Sequence, residues 1–203
     1  MDTINLSSIL GATDIYLIDG IVKGRYGREN VLLDAGCGGG RNLYWFLQNG
    51  FSIYGIDQSA EAIEALKEKY PDLPEERFRV EALEQTSFED AFFDSIICSA
   101  VLHFATDTAH FFKMMTELVR LLKPGGSLFI RMASTIGIEE KVQAVGEGVY
   151  FLPDGSYRFL LTRPLLAQLL SRYPLSFIED FKTVNVADLR CMSTLVLQKE
   201  HYP

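Results

Sequence analysis

Between residues 31 and 42 the chain reads VLLDAGCGGGRN. An apolar run without polar alternation is the mark of a strand covered on both faces, and such strands belong to parallel sheets. This one passes through Asp34 and Ala35 straight into Gly36, Gly38, Gly39 and Gly40. Glycine permits positive φ and lets a ligand touch the main chain. A helix placed next presents unpaired N–H groups and a partial positive charge. The stretch therefore predicts a strand, a loop shaped for an extended polar ligand, and a helix.

The pattern repeats downstream. A helix is expected over Arg41–Gln48, where Leu43, Phe46 and Leu47 share a face and Asn49-Gly50 supplies the stop. A strand follows at Ser52–Ile56, then a helix at Ser59–Tyr70 with Ser59 as N-cap. Arg77–Glu81 and Asp94–Ser99 read as the next strands, and Asp107 can cap a helix through Leu122. Lys123-Pro124-Gly125-Gly126 is expected to end that helix before a fifth strand at Ser127–Met132. Alternation of this kind means right-handed βαβ crossovers. The rhythm breaks at the end. After a helix at Thr162–Tyr173, the strand-like runs Phe177–Val186 and Met192–Lys199 are joined by a turn too short for a crossover, so they form an antiparallel hairpin. The fold class is α/β: a doubly wound, mostly parallel seven-stranded sheet with an antiparallel C-terminal edge hairpin.

The chain's 203 residues fit a single domain. It divides into a helical cap (1–29), a ligand-binding core (30–132), a lid insertion (133–162) and a C-terminal helix and hairpin (163–203). The formal charge of −8 disfavours nucleic acid as partner. Cys37, Cys98 and Cys191 stand far apart, which reads as free thiols in a reducing compartment and offers no metal site. With no apolar run of about 18 residues and no basic-then-apolar leader, neither a membrane span nor a secretory signal is expected, and the location is the cytoplasm. Oligomeric state has no signature.

A glycine loop alone also serves dinucleotide enzymes. Here the spacing is GxGxG, and the position three after Gly38, which a dinucleotide fold needs small, is Arg41. In 54-YGIDQS-59, Asp57 ends the second strand, placed to accept hydrogen bonds from both hydroxyls of a ribose. Together VLLDAGCGGGRN, YGIDQS, RVEALEQTSFEDAFFDSIICSAVLHF and LVRLLKPGG resemble the class I S-adenosylmethionine-dependent methyltransferases over residues 30–132. The resemblance implies S-adenosyl-L-methionine as cofactor. It implies that Asp34 and the backbone of Ala35, Gly36, Cys37, Gly38 and Gly40 hold its methionine portion and ribose. Asp57 would take the ribose hydroxyls, Gln58 would lie against the adenine and Leu83 would offer its N–H to the ring. Ala82 stands where relatives carry an acid for the adenine amino group, with Glu81 and Glu84 as possible substitutes. Ser99 and Ala100 would line the methyl region, and Arg25 or Lys23 would grip the cofactor's carboxylate.

Methyl transfer from a sulfonium is an in-line displacement in which alignment dominates. His103, in SAVLHFA, is the candidate general base; His110 and His201 have weaker cases. Tyr16, Tyr26, Phe104, Arg131, Tyr150 and Arg158 are candidate substrate contacts, and an arginine among them could bind an anionic acceptor bidentately. The acid/Asn-Pro-Pro-aromatic signature of amino methyltransferases is missing after the fourth strand, which moves the expectation to a small-molecule acceptor. The alternatives are a catalytically silent cofactor-binding module, a nicotinamide-dependent oxidoreductase, and a protein methyltransferase.

Overall fold

The computed structural model describes residues 5–201; the outermost ends of the cap and of the terminal segment lie outside the described residues. Two short helices come first, α1 (Leu6–Leu10) and α2 (Ile15–Val22). The core then alternates β1 (Val31–Ala35), α3 (Leu43–Gln48), β2 (Ser52–Asp57), α4 (Ala60–Lys69), β3 (Phe78–Val80), β4 (Phe93–Ser99), α5 (Thr108–Leu121) and β5 (Leu122–Ser134). After it come β6 (Gln143–Ala144), β7 (Val149–Phe151), β8 (Tyr157–Phe159), α6 (Arg163–Arg172), β9 (Leu175–Phe177), β10 (Lys182–Val186) and β11 (Arg190–Lys199).

The main sheet runs β10-β11-β5-β4-β1-β2-β3, with β9 also paired to β11. The strands β3, β2, β1, β4 and β5 are parallel, while β11 is antiparallel to β5 and β10 is antiparallel to β11. The path thus has the seven strands and the reversed terminal hairpin expected. It differs in one respect: the stretch 177–186 is broken into β9 and β10, so an eighth strand lengthens the edge. The turn of the hairpin is built by Ala187 and Asp188, both at positive φ.

Caps set several boundaries. Ser59 accepts the N–H of Ala62, Asp107 that of His110, and Thr162 that of Leu165. The helix α5 ends at Leu121, beside the expected stop, and β5 begins at once at Leu122, earlier than the Ser127 expected. The register runs from Phe93 with Leu122 to Ser95 with Ser127, so Lys123–Gly126 bulges out between these pairs, with Gly125 at φ +77°. Lys123 closes this join with an ion pair to Asp94, whose Oδ2 also accepts the Val31 N–H, so one carboxylate ties three strands.

Both faces of the sheet are covered, as the apolar β1 requires. One side packs α5 and α6 residues such as Phe111, Met115 and Leu169 against Leu33, Ile96 and Ile130. The other packs Phe46, Ile63 and Leu66 against Leu32, Ile53 and Ile97. A small separate sheet, β6-β7-β8, follows β5 and caps a third cluster of Ala133, Leu152 and Leu160.

Candidate active site

The carboxyl ends of β1, β2 and β4 frame a cleft of about 250 Å³. In an α/β sheet the strand order reverses beside the first strand, and the crevice there is where ligands bind. Gly36, Asp57, Gln58, Leu83, Ala100 and Phe104 line it, joined by Glu84 and His110.

Gly36 follows β1 at φ +80°, and a Cβ there would overlap Cγ2 of Val101. The N–H groups of Gly36 and Cys37 both donate to the Ile56 carbonyl, 2.8 and 2.9 Å, which pins the loop against β2. Gly38 donates its N–H to Asp57 Oδ2 at 2.8 Å, and Ser59 N–H donates to Asp57 Oδ1 at 2.9 Å. Each carboxylate oxygen has two lone pairs, so both retain capacity to accept from a ligand diol. Opposite, Ala100 is held at φ +63° at the end of β4, and its N–H donates to the Arg131 carbonyl at 2.7 Å. A non-glycine residue in that region stores backbone strain where the chain must turn sharply around a site.

Behind the loop lies Asp34. It is 1% exposed, and neither carboxylate oxygen has a hydrogen-bond partner among the described residues. Burial pushes its pKa up to about 7, Asp57 adds to the rise, and Arg41 opposes it. An orphaned buried carboxylate is costly, and it marks a place where a cationic ligand group would be compensated. Arg41 reaches from the loop to Ser99 Oγ at 3.2 Å and lies 3.9 Å from Asp14. Asp14 caps α2 through Tyr16 N–H and accepts from Arg131 at 2.6 Å. The cap helix is thereby fastened onto the glycine loop and the tip of β5, and Tyr16 lies 5.4 Å from the Arg131 guanidinium.

Several expected positions fall elsewhere. Arg25 does not approach the cleft: it pairs with Glu179, as do Lys23 and Lys182. Burial would raise Glu179, but these three cations hold its pKa down to about 2. This is a clamp between the cap and the β9–β10 bend, not a cofactor grip. Tyr26 is half-buried against the core, its ring edge-on to Phe46 at 5.2 Å, and burial drives its hydroxyl pKa upward. Cys37, expected to contribute its backbone, keeps its main chain in the glycine loop while its buried side chain packs on Gly55, its thiol likewise raised by burial. Ala82 is exposed outside the cleft.

Glu84 and His110 take the cleft wall that Ala82 leaves. The His110 ring bonds Glu84 through Nε2, while its Nδ1 accepts Thr106 N–H at 3.1 Å. Burial pushes Glu84 up, but its own backbone N–H and His110 prevail, leaving it below the ordinary carboxylate range. A sequence signal for Glu84 existed in the acidic run after β3. Asp14 had one as well, in its N-cap position before IYLI, and it was missed.

His103 does not line the cleft. It is buried, and its Nδ1 accepts the Ala133 N–H at 3.3 Å. Burial, then Arg158 and Arg190, lower its pKa to about 4. That is the setting of a group that supports the β4–β5 junction. Tyr150 and Arg158 are cross-strand partners in the β7–β8 hairpin, and the Arg158 guanidinium sits 5.0 Å from the Phe104 ring.

Comparison with known proteins gives a consistent result. Residues 33–130 match a family model described as a methyltransferase domain. A ubiquinone biosynthesis O-methyltransferase of Paracidovorax citrulli is 33% identical over 138 residues, which is 63% of this chain and 55% of that protein. A tRNA N(3)-cytidine methyltransferase of Mus musculus is 28% identical over 195 residues, covering 86% of this chain and 67% of that one. The chain spans about half, or less, of the ubiquinone-pathway relatives it matches. Among solved structures, the 1,6-didemethyltoxoflavin-N1-methyltransferase of Burkholderia thailandensis, with bound 1,6-didemethyltoxoflavin and S-adenosylhomocysteine, superposes with a TM-score of 0.66 at 21% identity, covering 97% of this chain and 82% of that one.

Proposed function

We propose that this chain, whose residues 33–130 match a methyltransferase domain and whose sheet has the order and reversed hairpin described above, is a class I S-adenosylmethionine-dependent methyltransferase that transfers a methyl group to a small-molecule acceptor. The observation that carries the reading is Asp57. It stands at the tip of β2 inside the cleft, already oriented by two backbone N–H groups and with lone pairs left on both oxygens.

The residues fit the cofactor. Asp57 would accept from the ribose hydroxyls, Gln58 and Leu83 would flank the adenine, and Glu84, oriented by His110, would take the amino-group role assigned in relatives to the position of Ala82. The main chain from Ala35 to Gly40, with Ser99 and Ala100, would line the methionine portion. Asp34 would compensate its ammonium, and Arg41 replaces Arg25 as the guanidinium for its carboxylate. The cofactor, when bound, supplies a methyl on an activated sulfonium. The chain's contribution is alignment and exclusion of water, for which roughly 7–11 kcal/mol is available. His103 is not assigned a proton: its Nδ1 is spent on Ala133 and its basicity is low. Tyr16, Arg131, Phe104, Tyr150 and Arg158 remain the proposed walls of the acceptor space.

The division into cap, core, lid and terminal hairpin follows the same reading, with the lid at residues 133–162 covering the acceptor. The resemblance to a tRNA-acting enzyme over most of the chain favours a second reading, an RNA acceptor. The charge of −8 opposes it, since phosphate backbones are bound by cationic surfaces. Among the described residues no helix is long and apolar enough to cross a membrane, and with three buried free thiols we place the protein in the cytoplasm. Incubation with methyl-labelled cofactor and either a metabolite extract or total tRNA tests the proposal. Label in small molecules supports it; label confined to tRNA, or none anywhere, refutes it.

A further inference from the structure

The cleft wall beyond Asp57 carries two hydrogen-bonding groups whose order matters. Ala82 has no polar side-chain atom to contribute. Among the described residues no acceptor takes the Leu83 N–H, and the next side chain, Glu84, lines the cleft together with His110. A main-chain donor and a carboxylate acceptor thus stand on consecutive residues. The outer edge of adenine is their complement, since its amino group donates and the adjoining ring nitrogen accepts. A 6-oxo purine reverses both: its oxygen accepts and its ring nitrogen carries hydrogen.

Glu84 serves as that acceptor only while it is ionised and faces the cleft, and His110 secures both. Thr106 donates its N–H to His110 Nδ1 at 3.1 Å. The Thr106 hydroxyl, also 3.1 Å from Nδ1, has Asp107 Oδ2 at 3.1 Å to donate to. A backbone N–H has only a hydrogen to give, so Nδ1 holds the lone pair and the neutral ring's hydrogen sits on Nε2. Nε2–H then donates to Glu84 Oε1, which favours the carboxylate over the acid. A carboxylate has about four lone-pair sites, so Glu84 keeps capacity to accept from a ligand. The ring is fixed from behind, because Asp107 caps α5 by accepting the His110 N–H at 2.7 Å. Among the described residues His110 is the only side chain that hydrogen-bonds Glu84. Outside the pair lies an open hollow of about 670 Å³, lined by Ala82, Gln85, Thr106 and Lys113. Released from the imidazole, the carboxylate has that space to turn into.

We propose that His110 is a positioning residue for nucleoside selection: by holding Glu84 as a cleft-facing acceptor beside the Leu83 N–H, it makes the site choose a 6-amino over a 6-oxo purine. This rests on the methyl-transfer reading and adds to it the residue that sets which base the cleft accepts.

Wild type, H110N, H110Q and E84Q are titrated by calorimetry with S-adenosylhomocysteine and with its 6-oxo counterpart, S-inosylhomocysteine. The quantity read is the ratio of the two affinities, which a general loss of packing would leave in place. Wild type is expected to favour the amino form by about a hundredfold. In H110N the amide oxygen can still accept the Thr106 N–H, but the side chain is too short to reach Glu84, so the ratio should fall about tenfold. In H110Q the longer amide can donate to Glu84 as Nε2 does, so most of the ratio should return. E84Q, with an N–H₂ to offer an oxo group, should bring the ratio close to one. A wild type that binds neither ligand overturns the methyl-transfer reading and this inference with it. A wild type that binds S-adenosylhomocysteine with a ratio near one, or H110N with the wild-type ratio, overturns this inference alone.

Discussion

Replacing Asp34 by Asn isolates a carboxylate whose burial no hydrogen bond compensates among the described residues. The unfolded chain releases this proton near the ordinary value of 3.8, whereas the folded chain holds it to about 7. Between those limits the native state binds more protons than the unfolded state, so stability falls as pH rises and levels off above about 7. A shift of about 3 units corresponds to roughly 4 kcal/mol across the whole window, and to about 2 kcal/mol between pH 5 and 7. Asn is nearly isosteric and cannot ionise, so the contribution vanishes in the variant. The assay is urea denaturation of both proteins without cofactor at several values from pH 5 to 8. The stability difference, variant minus wild type, is expected to move in the variant's favour by about 2 kcal/mol from pH 5 to 7 and then stay flat. The variant should also bind S-adenosylhomocysteine more weakly, having lost the charge that meets the ammonium. Parallel pH profiles for the two proteins would refute the reasoning, because they would mean that Asp34 is ionised and solvated in the native state.

Other substitutions probe separate parts of the site. Asp57→Ala removes the diol acceptor and frees the Gly38 and Ser59 N–H groups, so calorimetry should show cofactor affinity reduced by about 1–3 kcal/mol. Gly36→Ala places a methyl against Val101 at φ +80°; a drop in stability of at least about 1 kcal/mol and loss of cofactor binding are expected, with partial recovery in the double variant with Val101→Ala. His103→Ala should lower the denaturation midpoint, since the buried Ala133 N–H loses its acceptor at a cost of about 1–3 kcal/mol, while cofactor affinity stays unchanged. A pH–rate profile whose lower limb disappears in that variant would instead make His103 a base.

The parts of the fold that sequence disclosed are those governed by local rules. The doubly covered β1, the glycine loop, the capping residues Ser59 and Asp107, and the short hairpin turn each follow from residues within a few positions of one another. The early start of β5 was hidden because its first ladder pair, Leu122 with Phe93, precedes the stop-like residues 123–126, which bulge out while Lys123 is anchored to Asp94. Arg25 misled for the same reason at longer range: its partner Glu179 is 154 residues away. Tyr26 and His103 are polar residues whose burial is set by Phe46 and Ala133, neighbours in space that no periodicity reveals. Arg41 was noticed as a residue too large for a dinucleotide loop, yet its turn back toward Ser99 and Asp14 depends on where β4 and the cap helix end.

The most direct measurement is a crystal structure grown with S-adenosylhomocysteine. The account predicts a nucleoside in the cleft, its ribose diol on the Asp57 carboxylate and its amino-acid tail along residues 35–40 with the ammonium toward Asp34. A ligand seated elsewhere on the protein, or one whose sugar avoids Asp57, would contradict it.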